Sequence, residues 1–158
     1  MRKIAVESLD AGFAFEVSGK PGGEKIRKCY ACGTCTAGCP VFQVETAYNP
    51  RQLIRMILLG MRKEVLSSKI IWLCARCYTC TANCPQGVDF SNIMMALRDM
   101  AVDEGYALAD MQERIDRIST AAHELRRDCI NLLLGEEKVS ESDIRSGVEK
   151  AFEAARKA

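Results

Sequence analysis

The phrase CYACGTCTAGCP at residues 29–40 returns at residues 74–85 as CARCYTCTANCP, with every cysteine, the closing proline and the block T-C-T-A in register at an offset of 45. Each copy is spaced C-x2-C-x2-C-x3-C-P, so eight of the chain's nine cysteines lie in the repeat. A chain of 158 residues, 48% apolar and 27% charged, has material for one ordinary domain or a small domain with an appendage. It buries enough surface to do without disulfide staples. The N-terminal MRKIAVESLD starts basic, but Glu7 and Asp10 interrupt any secretory h-region. The longest apolar candidate, residues 53–61, is broken by Arg55 and Gly60 and falls far short of the ~20 residues a membrane span needs. The sequence is therefore read as cytoplasmic, where thiols stay reduced and clustered cysteines point to metal.

The spacing is that of two-cluster ferredoxins, with thiolates placed for [4Fe–4S] cubanes. Two x2 spacings let one loop present three sulfurs to three corners of a cube. The fourth cysteine follows a turn, and the proline after it fixes the backbone angle. In this arrangement the fourth cysteine serves the other cluster. The expected ligand sets are Cys29, Cys32, Cys35 and Cys84 for one cubane and Cys74, Cys77, Cys80 and Cys39 for the other. A structural zinc module is the main competing metal reading, but a tetrahedral thiolate site needs only two C-x2-C pairs, which leaves a third x2-spaced cysteine surplus in each run. The formal net charge of +1 falls to about −3 once eight thiolates and two cluster cores are counted. Arg27, Lys28, Lys69 and Arg76 flank the ligand runs and can offset that charge, or simply form a solvated rim. No basic patch interleaved with aromatics supports nucleic-acid binding.

Helical patterns fill the space between and after the repeats. Asn49 and Pro50 read as N-cap and first helical residue, followed by Leu53, Ile54, Ile57, Leu58, Met61 and Val65, with Gly60 inside the helix marking a close approach. Ser67 or Ser68 opens a short helix leading to Trp72. Asp89 or Ser91 caps another, carrying Ile93, Met94, Leu97, Met100 and Ala101 and ending at Gly105. In residues 1–20 the period-two alternation of Phe13, Phe15 and Val17 suggests a small β-hairpin or arm, with GKPGG at 19–23 as hinge.

From Leu108 through Met111, Ile115, Ile118, Ala122, Leu125, Cys129 and Leu132, apolar residues step by three and four, a heptad seam on one long helix. That seam docks on its own domain or on a partner protein. Cys129 reads as a small buried hydrophobe and His123, the only histidine, as structural. A last helix begins at Ser140 with Asp143 in the capping-box position and carries Ile144, Val148, Phe152 and Ala155. The expected fold is mainly α: a helical ferredoxin-like dicluster domain at 25–106, an N-terminal arm at 1–24 and a helical C-terminal extension at 107–158.

With every repeat cysteine used as a ligand, no iron is left open to substrate. No G-x-G-x-x-G or G-x-x-x-x-G-K-[ST] advertises a nucleotide or flavin site. No catalytic residue can be named, and the chemistry that remains is one-electron transfer by a subunit standing between a donor and an acceptor.

Residues 25–106, including LLGMRKEVLSSKIIWLCARCYTCTANCPQGVDFSNIMMALRDMAVDEGY at 58–106, resemble the C subunit of heterodisulfide reductase. The wider group includes the iron–sulfur subunit of anaerobic glycerol-3-phosphate dehydrogenase and the helical half of succinate dehydrogenase iron–sulfur proteins. The resemblance implies a relay from an A subunit, which bears flavin and clusters, to a B subunit, which reduces a disulfide at a cluster held by CCG motifs. All eight repeat cysteines match the family's cluster ligands. No CCG segment occurs here, so a disulfide-reducing site belongs to another chain. Membrane contact, if any, comes through partners. The alternatives are a relay for a membrane-associated or quinone-linked dehydrogenase and, from a different class, an iron–sulfur redox sensor.

Overall fold

The computed structural model describes residues 6–135 and 140–156. It divides into two compact units, residues 1–107 and 108–158. Among the described residues the regular elements are all helical.

The first unit is built around α4 (Pro50–Leu58) and α7 (Phe90–Asp103). Asn49 is the N-cap of α4, its side chain accepting the Gln52 amide, and Pro50 follows at the first helical position. α4 buries Leu53, Ile54 and Ile57. α7 buries Ile93, Met94, Leu97, Met100 and Ala101 along its core-facing side. Each Leu, Ile or Met side chain so withdrawn from water contributes on the order of 1.5–3 kcal/mol before the entropy of ordering it is counted. Asp89 caps α7, and the helix stops where Gly105 turns left-handed at φ +75°.

The expected N-terminal β-hairpin is a helix instead. The described part of that segment forms a single 3₁₀ turn at Val6–Ser8 and then α1 (Phe13–Ser18); residues 1–5 lie outside the described residues. Phe13, Phe15 and Val17 fit period two, but Phe13 and Val17 are also four apart, the spacing of one helix face. Both are fully buried in the core shared with α4 and α7, while Phe15 is 58% exposed under the Arg27 guanidinium, 4.3 Å from its ring centre. The Asp10 side chain accepts the Gly12 amide at 2.8 Å and starts the turn into α1. A hairpin on its own would leave its backbone edges unpaired, whereas the helix satisfies them internally. The GKPGG segment packs tightly: a Cβ on Gly23 would lie 1.8 Å from the Val17 carbonyl oxygen.

Gly60 also differs from the sequence expectation. It does not sit within a long helix but ends α4, at φ +76°, before α5 (Arg62–Leu66) starts. Close approach is nevertheless its role, because a Cβ there would fall 2.3 Å from the Asp10 carbonyl oxygen. Arg62, just beyond, donates to Asp10 at 3.1 Å, to Glu16 at 2.6 Å and to Glu104 at 2.9 Å, tying three distant stretches together. That pairing holds the Glu16 carboxyl below its ordinary pKa.

The second unit contains α8 (Met111–Leu133) and α9 (Glu141–Arg156), which pack on each other. Leu125 of α8 faces Gly147 of α9, where a Cβ would sit 3.6 Å from Leu125 Cδ1, at ordinary contact distance. Ser140 and Asp143 exchange capping hydrogen bonds: the Asp143 carboxylate accepts from the Ser140 amide at 2.8 Å, and the Ser140 hydroxyl accepts from the Asp143 amide at 3.4 Å. No residue of α8 is fully buried, Cys129 is half-buried and Phe152 is exposed.

Candidate metal-cluster sites

Both cysteine phrases fold the same way. Each runs as an irregular loop into a one-turn helix on T-C-T-A, α2 (Thr34–Ala37) in the first and α6 (Thr79–Ala82) in the second. Pro40 then opens α3 (Pro40–Val44) after the first phrase. The loops step through the left-handed region at Ala31 and Gly33 in one copy and at Arg76 and Tyr78 in the other, residues related by the same offset of 45. Ala31, Arg76 and Tyr78 are the non-glycine residues with positive φ among those described, and all three flank the middle cysteine of a loop. Such conformations cost about 1 kcal/mol or more each and persist where a site demands them. Repeated left-handed steps gather amide groups on the concave side of a loop, an arrangement that suits an anionic guest.

One hydrogen-bond pattern fixes both loops to the helix that follows. Thr36 donates its hydroxyl to the Asn49 cap at 3.0 Å and accepts the Arg51 amide at 3.0 Å. In the second copy Thr81 donates to the Asp89 cap at 2.8 Å and accepts the Ser91 amide at 3.4 Å. Each loop is thereby anchored at the N-terminal end of a long helix, whose positive dipole favours negative charge nearby. Asn49 and Asp89 are legible in the sequence as caps, whereas the anchoring role of both threonines is signalled only by their repetition within T-C-T-A.

The eight repeat cysteines line two cavities. Cys29, Cys32, Cys35 and Cys84 line one, together with Arg51 and Phe90. Cys39, Cys74, Cys77 and Cys80 line the other, together with Tyr48, Phe90 and Ser91. Cys80 also lines the first cavity, and Phe90 lines both. All nine cysteines are free thiols, and Cys129 belongs to the second unit. Cys32 and Cys77 are exposed at equivalent positions of the two loops, whereas Cys39 and Cys80 are buried.

The sulfurs differ in their surroundings. Contact with the Thr34 hydroxyl at 3.4 Å lowers the Cys32 pKa, while burial raises those of Cys35 and Cys80. The Val88 amide donates to Cys84 Sγ at 3.2 Å, and Ser91 Oγ lies 3.3 Å from Cys80 Sγ. Tyr48 is buried, and burial first and the neighbouring Cys74 second raise its pKa. Behind the second loop, the buried Arg98 donates to the carbonyls of Ile71, Trp72 and Cys74 at 3.0, 3.1 and 3.0 Å. Tyr48 carries no periodic signature, and Arg98, four residues after Met94 and three before Ala101, falls on the apolar stripe of α7 but as a charge gives no sign of the carbonyls it serves.

Eight thiols around two neighbouring cavities, with Cys80 lining both and with amides and hydroxyls directed at the sulfurs, fit two cubanes that take one thiolate per iron. They do not gather at one point, as a single tetrahedral ion requires. Among the described residues no group of three or more Cys, His, Asp or Glu side chains forms such a single-ion site.

Residues 25–88 match the family model described as a 4Fe-4S dicluster domain. The chain is 42% identical over 109 residues to the C2 subunit of the H(2)/formate:CoB-CoM heterodisulfide,ferredoxin reductase of Methanococcus maripaludis, covering 65% of this chain and 58% of that one. It is 43% identical over 112 residues to the iron-sulfur C 2 subunit of the CoB--CoM heterodisulfide reductase of Methanocaldococcus jannaschii, covering 66% and 59%. It is 41% identical over 81 residues to the iron-sulfur C subunit of the CoB--CoM heterodisulfide reductase of Methanopyrus kandleri, covering 51% and 42%. The chain thus spans about half the length of the curated relatives it matches.

Proposed function

We propose an electron-relay role for this chain, a member of the 4Fe-4S dicluster proteins homologous to the C subunit of heterodisulfide reductase, which carries two [4Fe–4S] clusters. Cys29, Cys32, Cys35 and Cys84 hold one cluster, and Cys74, Cys77, Cys80 and Cys39 hold the other. The observation that carries this assignment is the make-up of the two cavities: the first is lined by Cys29, Cys32 and Cys35 with Cys84, and also Cys80, of the other loop, the second by Cys74, Cys77 and Cys80 with Cys39 of the other loop. Bound there, the clusters supply reversible one-electron transfer.

The protein's residues do the rest. Cys32 and Cys77 bring the two sites to the surface at separate loops, giving electrons one point of arrival and one of departure. Phe90 and the buried Cys39 and Cys80 keep water from the space between. The Thr36 and Thr81 anchors hold both loops rigid, which limits the rearrangement that accompanies a change of charge. Residues 25–106 form the dicluster part in this reading, preceded by 1–24 and extended by 107–158.

The donor is a partner protein bearing flavin and clusters. The acceptor is a CCG-motif protein that reduces a disulfide, and the three belong to a cytoplasmic heterodisulfide-reductase-like complex. Among the described residues no helix is long and apolar enough to cross a membrane. Anaerobic purification from native cells tests the proposal. The expected result is a brown chain with about eight irons, reducible and co-purifying with a flavoprotein and a CCG-motif protein. A colourless zinc protein, or a brown one recovered alone on DNA, overturns it.

A further inference from the structure

The first two residues of α4 and of α7 follow caps bonded to equivalent threonines, so Arg51 and Ser91 occupy the same structural position in the two half-sites. Their amides make the same hydrogen bond, to Thr36 and to Thr81. Their side chains are chemically unlike. Arg51 is exposed and is one of the residues that line the first cavity, with its Cδ 3.8 Å from a Cβ built on Gly33. Ser91 is 1% exposed and sets its hydroxyl 3.3 Å from Cys80 Sγ in the second cavity. A thiolate bound to iron has no proton to give, so the serine hydroxyl donates and the sulfur accepts.

We infer that this shared position sets the reduction potential of each cluster separately, Arg51 acting on the first by charge and Ser91 on the second by a hydrogen bond to a ligand sulfur. The inference rests on the dicluster reading above. Reduction adds one negative charge to a cluster and its four thiolates. A fixed cation nearby, or a proton donated to a sulfur, stabilises the reduced form more than the oxidised one. The two devices differ in reach. An exposed guanidinium works through space and is screened by salt, whereas a buried hydroxyl at 3.3 Å is not. The repeat makes two similar cages, and position 51/91 makes them unequal, as a relay with a defined order of filling requires.

The test is an anaerobic EPR-monitored redox titration of the full chain with dithionite as the electron source, at low and high salt, on wild type, Ser91→Ala and Arg51→Gln. Ser91→Ala is expected to move one reduction wave to lower potential, equivalent to about a fivefold weakening of that reduction equilibrium, at both salt concentrations. Arg51→Gln is expected to lower the other wave, with an effect that shrinks at high salt, and Arg51→Lys restores most of it. Pulsed EPR in D2O provides a readout independent of potential, because one exchangeable deuteron coupling disappears in Ser91→Ala and persists in Arg51→Gln. Two intact clusters whose waves ignore both substitutions, or one wave that responds to both, overturn this inference alone. A chain isolated without two clusters overturns the dicluster reading and this inference with it.

Discussion

Asp10 and Gly60 meet backbone to backbone: the Asp10 amide donates to the Gly60 carbonyl at 2.7 Å, and the Gly60 Cα lies against the Asp10 main chain. This contact locks the N-terminal segment onto the end of α4, and Arg62 reinforces it through Asp10 and Glu16. A methyl group at Gly60 has no room, and φ +76° is unfavourable for an L side chain. Gly60→Ala should therefore destabilise the protein by ~3 kcal/mol, from a clash added to left-handed strain. Thermal unfolding of the anaerobic holoprotein measures it, and a loss below ~1 kcal/mol contradicts the contact.

The crossed cysteines make a directional prediction. Cys84 lies in the second phrase but lines the first cavity. Cys84→Ser should leave about four irons per chain and remove the signal of the cluster held by the earlier loop. Cys39→Ser should do the converse. Iron analysis combined with EPR separates these outcomes, and loss of the later-loop cluster in Cys84→Ser refutes the crossing.

Thr36 and Thr81 have the same role and should respond alike. Replacing either with valine keeps its shape but removes one donor and one acceptor from the anchor. Each substitution should cost ~1–2 kcal/mol and speed cluster release from its own cavity. The rate at which the cluster absorbance bleaches in the presence of a chelator reports this. Equal loss from both cavities in a single variant argues against local anchoring.

Arg98 is the least replaceable residue behind the second loop. Arg98→Leu fits the space approximately but strands the carbonyls of Ile71, Trp72 and Cys74. A destabilisation of ~3 kcal/mol is expected, because one buried and two part-buried carbonyls lose a charged donor. Anaerobic chemical denaturation gives the magnitude, and in the partly denatured range the second cavity should lose its cluster first.

The division between local and non-local information runs through particular residues. Cysteine spacing, the Asn49–Pro50 start, the Asp89 cap, the Gly105 stop and the Ser140–Asp143 capping box were legible because each is fixed by neighbours within a few positions. The helical character of the core followed from periodicity. What the chain alone left open was decided by contacts between distant segments. Phe13, Phe15 and Val17 satisfy both period two and a four-residue helical repeat, and only the core that receives Phe13 and Val17 selects the helix. Gly60 reads as an interruption until Asp10, fifty positions earlier, is found against it. Arg98 stands at core spacing in α7, yet only the three carbonyls of another segment that it reaches explain a buried charge there. The sequence by itself determined that eight thiols come in two matched runs, since spacing is a local property. Which residues tell the cages apart was decided only in three dimensions, because hydrogen bonds and charge act across space between positions that no spacing rule connects.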